Sequence, residues 1–134
     1  MKHACILVGL FLVGHVNAEQ SAFEYRELAT CKSPGETAWR PARLAIARTT
    51  STTVVQVDTL LNCGHNPAEP AVAYSPISTT LSIKSQGEHV LSCLCRRMLE
   101  FKLPRRLDSG TTVYFAVGSY FAVGSTVVGH EQVK

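Results

Sequence analysis

Residues Leu91–Leu103 read LSCLCRRMLEFKL and give the clearest strand signal in the chain. Side chains alternate between an apolar set at odd positions and a mixed set at even positions. Such a period of two is typical of a half-buried β-strand. Arg97 is the exception on the apolar face, and a β-bulge near Arg96-Arg97 is expected to move that charge out of the core.

Strand-like segments recur about every 8–12 residues, which is the spacing of a sandwich or barrel. No segment of ten or more residues has a persuasive helical period. The sequence therefore predicts an all-β fold: a small antiparallel β-sandwich of six to eight strands in two packed sheets, stapled by disulfides. The other expected strands lie at 23–26, 42–47, 49–57, 72–74 (a short edge strand), 81–84 and from 111 onward, with loops or turns at 31–36, 62–70, 85–88 and 104–110.

The first residues, Met1–Ala18, read MKHACILVGLFLVGHVNA, with a positive start, an apolar run and small residues before Glu19. This order predicts a removable signal peptide over 1–18, followed by one domain over 19–134. The apolar run is about ten residues, whereas a bilayer-spanning helix needs roughly 20. The alternatives are a buried amphipathic helix or a short anchor. The expected location is secreted or periplasmic, with no membrane span after cleavage.

Composition limits the classes of partner. Apolar residues make up 46% of the chain, which is enough for a packed core, and the formal net charge is +3, or +2 without Lys2. A net charge this small does not predict a polyanionic partner. Proteins that bind nucleic acid usually carry a concentrated stripe of basic residues together with aromatic residues that stack on bases. The sequence therefore predicts no nucleic-acid partner.

Four cysteines remain after Met1–Ala18 is removed: Cys31, Cys63, Cys93 and Cys95. An even number in a small exported domain predicts disulfides. Cys93 and Cys95 are two apart on one strand, where a mutual bond would strain the extended backbone, so each is expected to join a distant partner. The alternative, a four-thiolate zinc site, lacks the paired Cys-x2–4-Cys spacing.

The hexapeptide YFAVGS occurs twice in succession, as Tyr114–Ser119 and Tyr120–Ser125. Because six is even, the duplication keeps each side chain on its original face of a strand. The two copies predict one long strand or a hairpin turning at Gly118-Ser119, and we favour the hairpin. Their aromatic residues (Tyr114, Phe115, Tyr120 and Phe121) are candidates for binding a partner by edge addition, although packing into the core is the more common outcome for such residues.

Two further features are candidates for binding. Arg96, Arg97, Arg105 and Arg106 could form one positive patch at a sheet end, although a solvated rim is more usual. Trp39, the single tryptophan, is expected to fill the core, and tryptophan is also a common interface anchor.

No pattern of catalytic, metal-binding or cofactor-binding residues stands out. His65, His89 and His130 have no partner at metal-binding spacing, and no serine lies in a Gly-x-Ser-x-Gly turn. We therefore assign no catalytic residue, no metal and no cofactor. A small hydrolase that joins His65 or His89 to an acid is kept as an alternative.

The residues from Cys93 to Leu103, followed by Leu107–Phe115, resemble the Cys-x-Cys strand, turn and closing strand of small exported bacterial β-sandwich proteins, many of them lipoproteins of unknown function. The resemblance implies a sandwich fold and an envelope or secreted location, and it implies no activity. The sequence lacks the lipid-attachment cysteine of those lipoproteins, because Cys5 lies inside the apolar run.

These observations favour an exported, non-enzymatic binding protein that inhibits another exported protein or forms part of an envelope assembly. A rigid, disulfide-bonded domain suits that role because it loses little conformational entropy on docking. The alternatives are a small secreted hydrolase, as above, or a module that binds carbohydrate or a polyanion through the arginine patch.

Overall fold

The chain forms eight β-strands in a computed structural model that describes residues 22–29, 38–87, 93–119 and 124–134. Two four-stranded sheets have the orders β1-β6-β3-β2 and β4-β5-β7-β8, which confirms the predicted sandwich. Expectations for Met1–Ala18, Cys31, His89, Tyr120 and Phe121 lie outside the described residues. The strands are β1 Glu24–Ala29, β2 Arg43–Arg48, β3 Thr53–Asn62, β4 His65–Tyr74, β5 Ser78–Gly87, β6 Leu94–Leu103, β7 Thr112–Ser119 and β8 Ser125–Gln132.

All strand pairs are antiparallel except β5 and β7, which run parallel from Ser78 opposite Thr112 to Ser85 opposite Ser119. Parallel neighbours need a long crossover connection. Here the chain leaves β5, forms β6 in the opposite sheet and then returns as β7, so β6 is part of the crossover connection. In the described part of the chain, no helix has the length and apolar character needed to cross a membrane.

The core lies between the two sheets and is built by the alternation seen in the sequence. Leu99, Phe101 and Leu103 of β6 are fully buried, and the ring of Phe101 lies 6.5 Å from that of Phe115 on the opposite sheet. The β-branched residues of β3 suit a pleated sheet because they are stiff at χ1. Burial follows from this pattern. The other large apolar side chains that are fully buried in the described part of the chain are Val55, Val57, Leu81, Ile83 and Val113.

Strand β4 was expected to be mostly loop, and that expectation is wrong for residues 65–70. The chain turns within two residues, Cys63-Gly64, where Gly64 has a φ of 82°, and the strand begins at His65. Pro67 and Pro70 are accommodated because β4 is an edge strand, where a missing N–H costs no ladder bond. A bulge between Ala68 and Ala71 also protects this edge from pairing with other chains.

The repeated hexapeptide contributes to a hairpin, as favoured from the sequence. β7 and β8 pair antiparallel, with Val117 opposite Thr126 and Gly118 opposite Ser125. The predicted turn position is wrong, because Gly118 and Ser119 belong to β7. Likewise, β5 continues to Gly87 through the turn expected at 85–88.

Strands β2 and β8 close one side of the sandwich. The N–H of Ala42 donates to the carbonyl of Val128 across the two sheets, with 2.8 Å between N and O. Gly129 makes this approach possible, because a Cβ there would collide with the backbone of Ala42. The two sheets are therefore joined immediately beside the first residue of β2.

Disulfides anchor the end of the sandwich where β3, β4 and β6 meet. Cys63 bonds to Cys93, which confirms the predicted long-range pairing for that cysteine. The N–H of Cys63 also donates to the carbonyl of Cys93 at 3.0 Å. Cys95 is buried and disulfide-bonded as well.

Candidate functional site

A cleft of about 580 Å³ opens at this end of the sandwich, between the last residues of β3 and the first residues of β8. We call it the Trp39 cleft. Its walls combine apolar side chains from both sheets with a few hydroxyl, amide and imidazole groups. The residues that line it are Trp39, Leu60, Leu61, Asn62, His65, Ser85, Leu94, Val117, Gly118, Gly124, Ser125, Thr126 and Val128.

The cleft exists because β2 is shorter than its neighbour β3. β2 pairs with β3 only from Arg43 opposite Asp58 to Arg48 opposite Thr53, whereas β3 continues to Asn62. Before Arg43 the chain leaves β3 and crosses to β8 at Ala42. Residues 59–62 therefore lack a β2 neighbour on this side, and the space beside them is the cleft.

Trp39 stands at the mouth of the cleft, three residues before the crossing at Ala42. It is 61% exposed, so the expectation that it fills the core is wrong. Buried tryptophans contribute large apolar areas to cores, and an exposed one leaves that area available to a partner. Its other predicted role, as an interface anchor, is compatible with this position.

The walls of the cleft are apolar and firmly held. Leu60 and Leu61 at the end of β3 are 8% and 4% exposed. Val117 and Val128 contribute from the paired strands β7 and β8, and both pack against the main core. The cleft is thus a feature of the sheets themselves.

Its polar part includes one short side-chain contact. The Nδ1 of His65 lies 2.6 Å from the Oγ of Ser85, across the neighbouring strands β4 and β5. A serine nucleophile also needs a third group that orients the imidazole. The His65–Ser85 contact alone therefore does not establish a hydrolase site, and His89 lies outside the described residues.

Metal binding has no support in the described residues. No group of three or more His, Cys, Asp or Glu side chains among them is arranged to hold a metal ion. Cys63 and Cys93 are engaged in their disulfide and are not free thiolates. The structure offers no zinc site at these two cysteines.

The four arginines proposed as one patch are not brought together. Arg96 and Arg97 lie near the start of β6, whereas Arg105 and Arg106 follow its end, about 25 Å away for an extended chain. The guanidinium of Arg105 stacks over the ring of Tyr74 at 3.7 Å, and Arg106 donates to the carbonyl of Thr49. The hypothesis of a polyanion site at a single arginine patch loses its geometric basis.

Arg97 points into the sandwich, and the predicted bulge at this position is absent. β6 stays in continuous register with β3 through Thr59 opposite Arg97. The side chain is buried because Glu27 of β1 accepts a hydrogen bond at 2.7 Å and the carbonyl of His65 accepts another at 3.0 Å. A charge can remain in the core when it is paired in this way.

Arg96 lies on the outer face of the same sheet, beside the mouth of the cleft. It donates two hydrogen bonds to Asp58, at 2.9 and 2.8 Å, and Arg40 donates a third at 2.8 Å. Partial burial opposes ionisation, but the hydrogen bonds from Arg96 and Arg40 outweigh it and lower the pKa of Asp58. Arg43 is exposed directly opposite Asp58. Sequence reasoning missed Arg40, Arg43 and Asp58, because only the strand register brings them together.

The aromatic residues of the first hexapeptide copy have separate roles. Phe115 is fully buried in the core. Tyr114 points to the outer face of its sheet, with its ring 6.0 Å from that of His130. β7 is paired on both sides, by β5 and β8, so partner binding by edge addition to this copy is excluded.

Comparison of the chain with protein-family models, with curated proteins and with solved structures gives no match.

Proposed function

We propose that this chain is a non-enzymatic binding protein that docks another protein at the Trp39 cleft. The observation that carries the proposal is the position of Trp39, 61% exposed at the mouth of an apolar cleft. Tryptophan is among the residues most enriched at interface hot spots, because it buries a large area with few rotatable bonds. An exposed tryptophan beside an apolar cleft favours a protein contact over a solvated surface.

The walls of the cleft support this role because they are ordered before a partner arrives. Leu60 and Leu61 belong to a strand paired with β6 along its whole length. The Cys63–Cys93 disulfide fixes the same two strands one residue beyond the cleft. Preorganisation of this kind favours affinity because little side-chain and loop entropy is lost on binding.

The expected signal peptide supports a partner in the same exported compartment. In that setting the chain acts as an inhibitor of another exported protein or as a subunit of an envelope assembly. Both roles use one docking surface and need no catalytic group.

The test compares two exposed apolar residues at opposite ends of the sandwich. Trp39→Ala removes the proposed anchor, and Ile77→Ala removes an apolar side chain that is 79% exposed in the β4–β5 turn. A tagged form of each variant is exported in its native cell, lightly cross-linked and purified, and its partners are quantified by mass spectrometry. We expect Trp39→Ala to lose a stoichiometric partner that the parent protein and Ile77→Ala both retain.

Equal recovery of the same partner with Trp39→Ala and the parent would overturn the proposal. Near-ultraviolet circular dichroism and the midpoint of urea unfolding serve as controls for folding. Because Trp39 is largely exposed, its replacement is expected to leave the unfolding midpoint nearly unchanged.

A further inference from the structure

We infer that strand β7 can be formed by either copy of the repeated hexapeptide, so that the sandwich has two registers. In the observed register the first copy, residues 114–119, lies in the sheet. In the shifted register the second copy, residues 120–125, would take the same positions after the strand slides by six residues. Residues 120–123 lie outside the described part of the chain, and only their sequence is needed here.

The slide would leave most side chains of the strand unchanged in type, because the two copies are identical. Phe121 would take the fully buried position of Phe115, and Val123 would take the position of Val117, which packs against the core. Because six is even, every side chain would also keep its face of the sheet. A pattern that repeats after a slide specifies the register only weakly.

The two neighbours of β7 would keep their places in the slide. β5 pairs with β7 along its full length, and β8 pairs with it from Thr112 to Gly118. The hydrogen bonds of a ladder join backbone groups, and neither copy contains a proline that would remove a donor. Either copy can therefore complete both ladders.

The connections at the two ends of β7 permit the slide. In the shifted register Val123 would lie opposite Thr126, which leaves Gly124-Ser125 as a two-residue hairpin loop. Gly124 already has a φ of 98°, and such tight loops require positive φ. At the other end, the connection between β6 and β7 would gain six residues, and lengthening a loop adds little closure entropy.

The start of β7 decides which register is more stable. Val113 is fully buried in the core, and the slide would place Ser119 at its position. A hydroxyl group in an apolar core is less favourable than a valine side chain. The preceding turn adds to this preference, because Gly110 donates a hydrogen bond to Val133 and Thr111 accepts one from it. The observed register is therefore the major one.

The slide would transfer six residues from one end of the sandwich to the other. The connection 119–124 follows Gly118, which lines the Trp39 cleft, and it would shorten to two residues. The connection between β6 and β7 at the opposite end would lengthen. A partner that contacts either connection would select the register that it binds more tightly. The exchange of registers itself does not depend on the proposed docking function.

Disulfide trapping measures the two registers separately. Tyr114 lies opposite His130 with 6.0 Å between their rings, so Tyr114→Cys with His130→Cys forms the observed-register pair. Tyr120→Cys with His130→Cys forms the shifted-register pair, because residue 120 would take the same sheet position. The end of β7 at Ser119 lies about 17 Å along the strand from Tyr114, so a bridge in the shifted-register pair requires the slide.

Each purified pair is equilibrated in a glutathione redox buffer, to which structural disulfides of exported proteins are resistant. After alkylation, mass spectrometry measures the bridged fraction of the tryptic peptide 107–134, which contains no native cysteine. The bridged fraction gives the effective concentration of each pair. Ser119→Val supplies an apolar residue for the core position while Val113 stays in place. We expect it to raise the effective concentration of the shifted-register pair at least tenfold.

Phe121→Ser is the matched control, because it removes only the ring that would take the core position of Phe115. Combined with Ser119→Val, it is expected to lower the effective concentration of the shifted-register pair at least tenfold and to leave the observed-register pair within twofold. A shifted-register bridge that is undetectable with Ser119→Val, or that neither substitution changes, would overturn the inference. No partner is present in this experiment, so its result and that of the Trp39→Ala test are independent.

Discussion

Tyr25 on β1 shows how a single side chain responds to its place in the fold. Its hydroxyl is buried without a hydrogen-bond partner among the described residues, and its ring lies 5.1 Å from that of Phe101 between centroids. Burial, together with the nearby charge of Glu27, raises the pKa of Tyr25 to about 12, although Arg97 opposes the shift. The neutral phenol is therefore the form that the folded protein accepts.

We predict that Tyr25→Phe leaves the free energy of unfolding unchanged or raises it by about 1 kcal/mol, because an unsatisfied buried hydroxyl is removed. Since the raised pKa favours the protonated form, the parent protein should lose stability as pH rises from 10 towards 12, and the variant should lose less. Urea unfolding at pH 7 and above 10 measures both effects. Destabilisation by the substitution at pH 7 would show that the hydroxyl has a partner.

Arg97 is a residue whose loss should lower the stability of the fold substantially. Its guanidinium is 8% exposed and bonds Glu27, the carbonyl of His65 and the side chain of Asn66. We predict that Arg97→Met lowers the free energy of unfolding by about 3–5 kcal/mol, because it removes the buried guanidinium that pairs with the partly buried carboxylate of Glu27. The matched variant Glu27→Gln with Arg97→Met should recover part of that loss in the same urea measurement. A loss below 1 kcal/mol for Arg97→Met would contradict the prediction.

At the scale of elements, the Cys63–Cys93 disulfide joins the β3–β4 turn to the start of β6 and spans 30 residues. Loop-closure entropy for that length predicts that Cys63→Ala with Cys93→Ala lowers the free energy of unfolding by about 3–4 kcal/mol. Urea denaturation of the double variant checks this value. A change below 1 kcal/mol would indicate that the denatured chain is already constrained there.

Strands could be predicted where the local sequence alternates. The prediction failed where the position of the strand in the sheet was decisive. β6 alternates strongly, so periodicity was sufficient to locate it. β3 was expected at 49–57 from its β-branched residues, and it lies at Thr53–Asn62. The start of β4 was missed because Asn66, Pro67 and Pro70 are typical of loops. The edge position that makes prolines acceptable is a property of the sheet order, which no local pattern contains.

The predicted positions of two side chains were wrong for a similar reason. Arg97 was expected to be expelled by a bulge, yet Glu27, 70 residues earlier, pairs with it inside the sandwich. Trp39 was expected in the core because it is large and apolar, yet the chain crosses to β8 just after it and leaves it outside. The cleft itself depends on β2 pairing with only part of β3. The length over which two strands pair is not encoded by the alternation of side chains along either strand.

For the whole molecule, ion pairs on the outer face of the β1-β6-β3-β2 sheet should determine stability in acid. Hydrogen bonds from Arg26 and Gln56 lower the pKa of Glu100, and those from Arg96 and Arg40 lower that of Asp58 despite its partial burial. Both groups therefore stabilise the fold when ionised. This contribution is present above their ordinary values of 4.5 and 3.8, and it is lost as pH falls through the lower folded values.

We predict that the thermal midpoint is nearly constant from pH 7 to 5 and decreases below about pH 4. Asp58→Asn should lower the midpoint at pH 7 and reduce the further loss in acid. Asp108→Asn, in the turn before β7, serves as the control because Asp108 is exposed and forms no ion pair with a described residue. An Asp58→Asn midpoint that follows the parent protein at every pH would contradict this assignment.

The register of the β7–β8 hairpin is also consistent with growth of the chain by duplication of the hexapeptide. Val117 and Thr126 already face each other, so deletion of 120–125 would connect them through Gly118-Ser119 alone, the length of the tightest hairpin loops. We expect the shortened protein to keep the core and the unfolding cooperativity of the parent, as calorimetry would show, and a molten product would refute this. The second hexapeptide supplies Gly124 and Ser125 to the Trp39 cleft. A short tandem duplication in the gene would thus have added one wall of the Trp39 cleft, and the pairing of the existing strands would not have changed.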